Sequence, residues 1–296
     1  MKKKFFFSII IPTANRASDL DETLMNLKKS KYKNFEVILI NNNSSDDTKK
    51  IIKKYSFVKA IHNSLNKNCI EARNQGILAS KGKVILCLDD DSYPHMYALE
   101  YAHRIFSKFK NVGILACGIK NYYTSKSEKL FHKKKLSPNY AQTWSGCGGF
   151  FLKELFDKYG PWDEDPPRMG YYELLTNLWS LKDNKKILCE KNVFVYHKVS
   201  QKGDGYSFRF SNLTLVDEIY ANYYFIIKYF NFKDVMQKII KINNIISLSV
   251  FEKKNFIFLL AFLKILVKLP EIFTSRKPFT KEITDKIRLA NCFQGK

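Results

Sequence analysis

Three consecutive carboxylates, Asp89, Asp90 and Asp91, end the apolar run Val84 to Leu88, and a turn signal follows at Pro94. Side chains alternate along a strand, so Asp89 and Asp91 are expected on one side and Asp90 on the other. Three acids at one strand end repel each other unless positive charge sits among them. A hard divalent cation held by one or two carboxylates and completed by phosphate oxygens meets that need. In open α/β sheets, ligands bind at the carboxyl ends of strands, which is where these acids fall. The competing reading is a solvated acidic turn that caps the segment from Tyr97.

The elements that must position these acids alternate along the chain. Strands are expected at Phe5 to Ile11, Phe35 to Ile40, Val58 to His62, Val84 to Leu88 and Val112 to Gly118. Between them, helices are expected from Ser18 or Asp19 to about Ser30, at Thr48 to Tyr55 with Asp46 or Ser45 as cap, at Ile70 to Ser80, and at Tyr97 to Lys108. Such alternation implies a mostly parallel sheet with helices on both faces. Residues 121–141 are polar and Lys-rich and read as a long loop. Gly146, Gly148 and Gly149 allow close backbone approach. Short helices are expected at Glu154 to Tyr159 and Glu173 to Leu181, with one or two strands in Ile187 to Tyr196. From about Tyr206 the chain turns to amphipathic helices rich in Tyr, Phe, Ile and Lys. The expected division is therefore a catalytic α/β domain, 1–205, and a helical extension, 206–296.

At 296 residues the chain suits one large domain with an appendage. Its net charge is +22, yet only seven of the 50 basic residues are Arg. Nucleic-acid readout leans on Arg forks, so nucleic acid is not an expected partner. A Lys surplus instead suits a phosphorylated substrate or an anionic membrane surface, although biased composition would also produce it. The six cysteines (69, 87, 117, 147, 189, 292) show no CxxC spacing and read as small buried hydrophobes of a reducing compartment rather than disulfides or a zinc site. Lys2 to Lys4 followed by Phe5 to Ile11 mimics a signal peptide, but Pro12 follows directly, and the run reads as a first buried strand. The expected location is cytoplasmic.

Seven short motifs in order resemble a family 2 glycosyltransferase with a GT-A fold. They are Ser8 to Thr13, Asn41 to Thr48, Glu71-Ala72-Arg73-Asn74-Gln75-Gly76, Leu88-Asp89-Asp90-Asp91, Gly146-Cys147-Gly148-Gly149-Phe150, Gly160-Pro161-Trp162-Asp163-Glu164 and Val195-Tyr196-His197. The resemblance covers roughly residues 5 to 200. It implies inverting transfer of a sugar from a nucleotide-diphosphate donor to a hydroxyl of a glycan or lipid-linked acceptor. Asp89 and Asp91 match the family's DxD motif and would hold Mn²⁺ or Mg²⁺, with Asp91 the first choice for metal contact and Asp89 for metal or ribose. His197 matches a residue that completes the metal or diphosphate site. Pro12, Thr13 and Asn15, with Asn41, Asn42 and Asn43, match the base-binding part; Asp90 and Arg73 match positions near the donor.

Two departures from the family pattern stand out. Most members carry Asp where this chain has Asn41 and Asn42. Asn offers both an acceptor and a donor, so base recognition becomes less selective. Inverting transfer also needs a general base. Relatives often place an acidic pair at the start of a helix here, whereas Gly170 to Leu175 holds only Glu173. Glu173 is the first candidate base and Asp163 or Glu164 the fallback; Glu173 would otherwise serve only its helix N-terminus. Trp144, Gly148 and Gly149 suit an acceptor pocket, an aromatic face beside open backbone.

Phe256 to Leu263, then Ile265-Leu266-Val267 with Lys264 and Lys268, is intensely apolar with Lys at helical spacing. It is expected to lie on the inner face of the cytoplasmic membrane with its lysines snorkelling to headgroups, or else to pack on the core or a second copy. The alternatives to an active transferase are a catalytically impaired nucleotide-sugar-binding scaffold and a nucleotidyltransferase, for which Pro12-Thr13-Ala14-Asn15-Arg16 is a poor match.

Overall fold

A computed structural model of the chain describes residues 6–125, 136–141, 143–165, 171–198, 212–237, 239–240, 255–280 and 282–283. Among them, apolar and β-branched runs give the buried strands β1 (Phe7–Thr13), β2 (Phe35–Asn42) and β4 (Val84–Leu88), with β3 (Val58–Asn63) a half-exposed edge strand. The helices between them are α1 (Ala17–Lys28), α2 (Thr48–Lys54) and α3 (Cys69–Leu78). After β4 come β5 (Ser92–Pro94), α4 (Ala98–Lys108), β6 (Val112–Asn121), β7 (Asn139–Tyr140), β8 (Gly148–Leu152), α5 (Lys153–Tyr159), α6 (Tyr171–Lys182) and β9 (Lys186–His197). The sheet runs β3-β2-β1-β4-β8-β6-β9-β5, with β7 also on β9. Pairs β1·β2, β1·β4, β2·β3 and β6·β9 are parallel; the pairings of β4 and β6 with β8, and of β5 and β7 with β9, are antiparallel.

Chain direction reverses about β1: β2 and β3 lie on one side and β4 on the other. That reversal is a topological switch point, where ligands enter open α/β sheets.

Several boundaries differ from the sequence reading. Helix α1 begins at Ala17, so Ser18 and Asp19 lie inside its first turn; Arg16 holds the cap position and makes no capping bond there. Helix α3 begins at Cys69 because Asn68 Oδ1 accepts from the backbone N–H of Ile70 and Glu71. Strands β5 and β8 were hidden by Pro94 and by two glycines. Pro94 ends β5 on a sheet edge, where a missing N–H is tolerated. In β8, a Cβ on Gly148 would meet Val195 Cγ2 at 2.6 Å, and one on Gly149 would meet Trp144 Cε3 at 2.2 Å. Those glycines are strand residues whose missing side chains make room for neighbours.

The Cα positions divide the chain into two compact units, Met1–Glu164 with Tyr172–Val199, and Asp165–Tyr171 with Ser200–Lys296. In the second, α7 (Asn212–Tyr229) and α8 (Asn255–Thr274) pack through Val216, Ile219 and Ala261. Lys264 pairs with Asp217 at 2.7 Å, and Lys268 with Asp165 at 2.9 Å and Glu271 at 2.8 Å. Both cations pair with acids of their own unit. The face of α8 bearing Phe262, Leu263, Leu266 and Val267 is exposed, Val267 to 79%. Among the described residues, no helix is long and apolar enough to cross a membrane. The expected change of character at Tyr206 falls outside the described residues.

Candidate active site

The parallel register of β1 and β4 pairs Ile10 with Cys87, and continuing it brings Thr13 beside Asp90. Thr13 Oγ1 donates to Asp90 Oδ2 at 2.8 Å. The turn after β1 then delivers Arg16, whose guanidinium spans Asp90 at 3.2 Å and Asp91 at 2.9 Å. Across the sheet, β5 pairs with β9 so that Ser92 faces His197. His197 Nε2 lies 3.2 Å from Asp91 Oδ1 and 3.9 Å from Asp89 Oδ2. Asp89 is also paired with the guanidinium of Arg73, which is fully buried. The repulsion foreseen among the acids is thus relieved by two Arg and a His.

The electrostatics follow from these contacts. Burial raises the Asp90 carboxyl to about 7, against the Arg16 charge and the Thr13 hydrogen bond that favour ionisation. Burial opposes ionisation of Asp91 as well, but the His197 hydrogen bond and the Arg16 charge outweigh it and hold that carboxyl low. His197 is disfavoured as a cation by burial, yet its bonds to Asp91 and Cys147 raise it to about 10. Without a metal ion these contacts favour imidazolium against carboxylate at neutral pH; a bound divalent ion would take the place of that proton.

The ligand atoms of Asp89, Cys147 and His197 all lie within 4.8 Å of one another. One oxygen, one sulfur and one nitrogen converge, a donor set that fits a divalent ion. Asp91, the expected first contact, sits instead between Arg16 and His197.

Opposite this cluster stands Glu173, on the first turn of α6 and buried. Its Oε1 accepts from Gly146 N at 2.9 Å. The carbonyl of the same Gly146 receives Arg73 Nη2 at 3.4 Å. One residue thus links the cation on Asp89 to the candidate base. Glu164 is exposed, its Oε1 3.3 Å from Asn74 Nδ2, and Asp163 is half-buried beside it. Asn74 pins this segment by exchanging bonds with the Trp162 backbone at 2.8 and 3.1 Å.

Trp144 requires a correction. It is 4% exposed, packed on Phe151 and Tyr172 with ring centroids at 5.7 and 5.8 Å, and its Nε1 donates to Glu173 O at 3.2 Å. Gly149 is buried against its ring. Trp144 supports the base from the core and presents no open face to an acceptor; Gly148 is likewise buried against Val195.

On the base-binding side, Asn15 and Asn43 both hold left-handed backbone, with φ of 54° and 60°. Asn15 Oδ1 accepts from Ser45 N at 2.7 Å, tying the turn after β1 to the loop after β2. Pro12 is half-buried in β1, and Asn43 is exposed. Asn41 and Asn42 are buried. Asn41 Oδ1 accepts from Ser44 N at 3.1 Å, and its Nδ2 lies 3.1 Å from His62 Nδ1. Asn42 Nδ2 donates to Asn66 Oδ1 and Lys67 O, both at 2.6 Å, and its Oδ1 accepts from Lys67 N at 2.9 Å and Asn63 Nδ2 at 3.1 Å. In this conformation Asn42 shapes the loop with its whole bonding capacity rather than presenting it to a base.

Three residues of this arrangement were not singled out from the sequence, Arg16, Ser92 and Cys147, and neither was the linking role of Gly146. Ser92 Oγ accepts from Asp89 N at 3.0 Å and donates to Cys147 O at 2.7 Å, so one buried hydroxyl ties Asp89 to Cys147, while the Ser92 backbone pairs with His197. Only the end-to-end register of neighbouring strands would have signalled them.

The model of the glycosyl transferase family 2 matches residues 8–160. The fold is that of the GT-A glycosyltransferases. The mannosyltransferase of Pyrobaculum calidifontis in complex with GDP-Man and Mn²⁺ superposes with a TM-score of 0.59 at 14% identity, covering 97% of this chain and 84% of that one. S. aureus TarS in complex with UDP-GlcNAc gives 0.58 at 18% identity, covering 73% and 65%. An uncharacterized glycosyltransferase of Rickettsia prowazekii is 29% identical over 179 residues, 56% of each chain, so this chain spans about half the length of such relatives. Over 88 residues, 29% of this chain and 35% of the other, it is 36% identical to an Escherichia coli protein named UDP-Glc:alpha-D-GlcNAc-diphosphoundecaprenol beta-1,3-glucosyltransferase. The chain belongs to glycosyl transferase family 2.

Proposed function

We propose that the chain transfers a sugar, with inversion, from a nucleotide-diphosphate donor to a hydroxyl of a glycan or lipid-linked acceptor in cell-surface polysaccharide or glycolipid assembly. The observation that carries this reading is the opposition of two groups across Gly146: the Arg73–Asp89 pair on its carbonyl and Glu173 on its N–H. Inverting displacement needs this separation, with charge stabilised at the leaving diphosphate and a base on the acceptor side. Arg16 and Arg73 supply fixed positive charge toward the diphosphate. Asp89 and His197 would hold Mn²⁺ or Mg²⁺, which when bound neutralises charge on the departing phosphate. Glu173 would accept the acceptor proton, with the Gly146 N–H fixing the carboxylate. Asn15 and the loop after β2 would frame the base. The exposed apolar face of α8 suits peripheral contact with a bilayer carrying a lipid-linked acceptor.

The test is release of free nucleotide from a panel of UDP-, GDP- and dTDP-sugars with Mn²⁺ or Mg²⁺, in the presence of candidate acceptors. Glu173→Gln keeps size and removes basicity, so turnover should fall about 10²- to 10⁴-fold, the range of general-base contributions, while donor affinity holds. Donor binding without turnover in the unmutated chain, across the panel, would refute transfer and leave a sugar-nucleotide-binding scaffold.

A further inference from the structure

Two strand registers and one hydroxyl bring Cys147 into the cluster at the end of β4. Leu88 pairs with Gly148 in the antiparallel β4·β8 ladder, so the next step sets Asp89 opposite Cys147. A tight turn, closed by Gly148 N donating to Ser145 O at 2.9 Å, holds Cys147 at that mouth. Ser92 Oγ fixes its carbonyl, and the backbone of Ser92 pairs with His197. The thiol is buried, lies 3.2 Å from Ser145 Oγ, and joins the Asp89 and His197 ligand atoms inside 4.8 Å.

From this geometry we infer that Cys147 is a metal ligand of the proposed donor site, and that its sulfur makes the site select a thiophilic or borderline divalent ion over Mg²⁺. The inference rests on the transferase reading only for the site's purpose; the ligand set stands on the geometry alone. Mg²⁺ demands near-octahedral oxygen ligation and keeps its waters, so an S, N, O triad serves it poorly. Thiolate and imidazole favour softer ions, and affinity for one N/O/S site rises from Mn²⁺ toward Co²⁺ and Zn²⁺. The same sulfur makes the site sensitive to thiol modification, because a blocked or oxidised Cys147 both removes a ligand and fills the space between Asp89 and His197. The other described cysteines do not share this place: Cys87 and Cys117 are buried thiols whose burial holds them protonated, Cys87 up to about 12.

The experiment is titration of the intact chain with Cd²⁺ and Co²⁺, followed by the ultraviolet sulfur-to-metal charge-transfer band and by calorimetry, alongside Mn²⁺ and Mg²⁺. The unmutated chain should give the band at one equivalent and bind Cd²⁺ more tightly than Mg²⁺. Cys147→Ser should abolish the band and weaken Cd²⁺ by at least about tenfold, the low end of what losing even an outer partner costs, with Mg²⁺ affinity unchanged. Unchanged thermal unfolding of Cys147→Ser without metal excludes a folding effect; should that variant fail to fold, loss of the band on alkylating the folded native chain with iodoacetamide is the substitute readout. Metal that binds through Asp89 and His197 without the band, or a band that survives in Cys147→Ser, overturns the thiol assignment and leaves the transferase reading standing. Absence of binding by all four ions overturns the metal assignment, Cys147 included, while nucleotide release from the donor panel still decides the transferase reading.

Discussion

The peptide of Gly146 is the narrowest point of the proposed machinery, and a single methyl there tests it. A Cβ at position 146 would fall 1.7 Å from Tyr172 Oη, 2.8 Å from Tyr172 Cζ and 3.2 Å from Glu173 Oε1, where ordinary contacts begin at 3.4 Å. The overlap is relieved in one of two ways. Either Tyr172 swings off the Arg73 guanidinium, which lies 5.6 Å from its ring, or the peptide retreats from Glu173. Overpacking of this kind costs about 1–3 kcal/mol. A hydrogen bond to a charged group contributes about 1.5–3 kcal/mol more. In a chain of this size Gly146→Ala should therefore lower the melting temperature by roughly 5–24 °C, for a combined cost of about 2.5–6 kcal/mol at about 2–4 °C per kcal/mol. Turnover should drop on the order of ten- to hundredfold, since each 1.36 kcal/mol is about tenfold. Tyr172→Phe removes the hydroxyl that collides. That hydroxyl is buried and has no hydrogen-bond partner among the described residues, so its loss alone should cost little. In the Tyr172→Phe background the Gly146→Ala penalty should shrink by at least about 1 kcal/mol, which a double-mutant cycle of thermal unfolding resolves. Two additive penalties, coupled by less than about 0.5 kcal/mol, would show that the collision is not what positions Glu173.

Two further outcomes concern the frame and the tail. Glu36 is buried, accepting from Ser8 Oγ, Lys81 N and Lys59 Nζ, each at 2.7 Å; burial raises its carboxyl, but these bonds outweigh it and hold the folded value low. A depressed carboxyl stabilises above its unfolded value, about 4.3, and that stability fades as pH falls through the folded value. Glu36→Gln should thus unfold more easily at pH 7 by about 1–3 kcal/mol and converge with the native chain in acid; parallel stability curves across that range would disprove the network's role. On α8, replacing the exposed Leu263 and Val267 by Asn should weaken sedimentation with liposomes by on the order of tenfold or more, since each such side chain gains roughly 1.5–3 kcal/mol when fully buried. Because Lys264 and Lys268 are engaged by acids, that binding should depend only weakly on salt; liposomes that pellet the double variant equally well would dismiss the α8 face as the contact.

Much of the frame was legible because the strands from Phe7 to Leu88 are uninterrupted β-branched and aromatic runs separated by helical periods. The acidic triplet was legible as well, because no other run of three acids ends an apolar strand in the sequence. Arg16, Ser92 and Cys147 were not, because their meaning lies in which strand ends become neighbours, and no local pattern records register. Strands β5 and β8 escaped for a related reason: proline and glycine speak against strands in isolation, while an edge position and two crowding side chains favour them here. Trp144 and the α8 lysines were assigned from residue type to an aromatic platform and to snorkelling. Burial against Gly149 decided otherwise for Trp144, while Lys264 and Lys268 meet acids that residue type alone did not announce.

The saturated amide of Asn42 constrains what can replace it. It donates two bonds and receives two, and both donations go to atoms that can only accept: the carbonyl of Lys67 and the side-chain oxygen of Asn66. An aspartate at this place would turn two attractions into oxygen–oxygen repulsions at a buried site, where leaving such groups unsatisfied costs about 1–3 kcal/mol each. Asn42→Asp is therefore destabilising as a single step, and a change at 66–67 that supplies donors in place of these acceptors should relieve it.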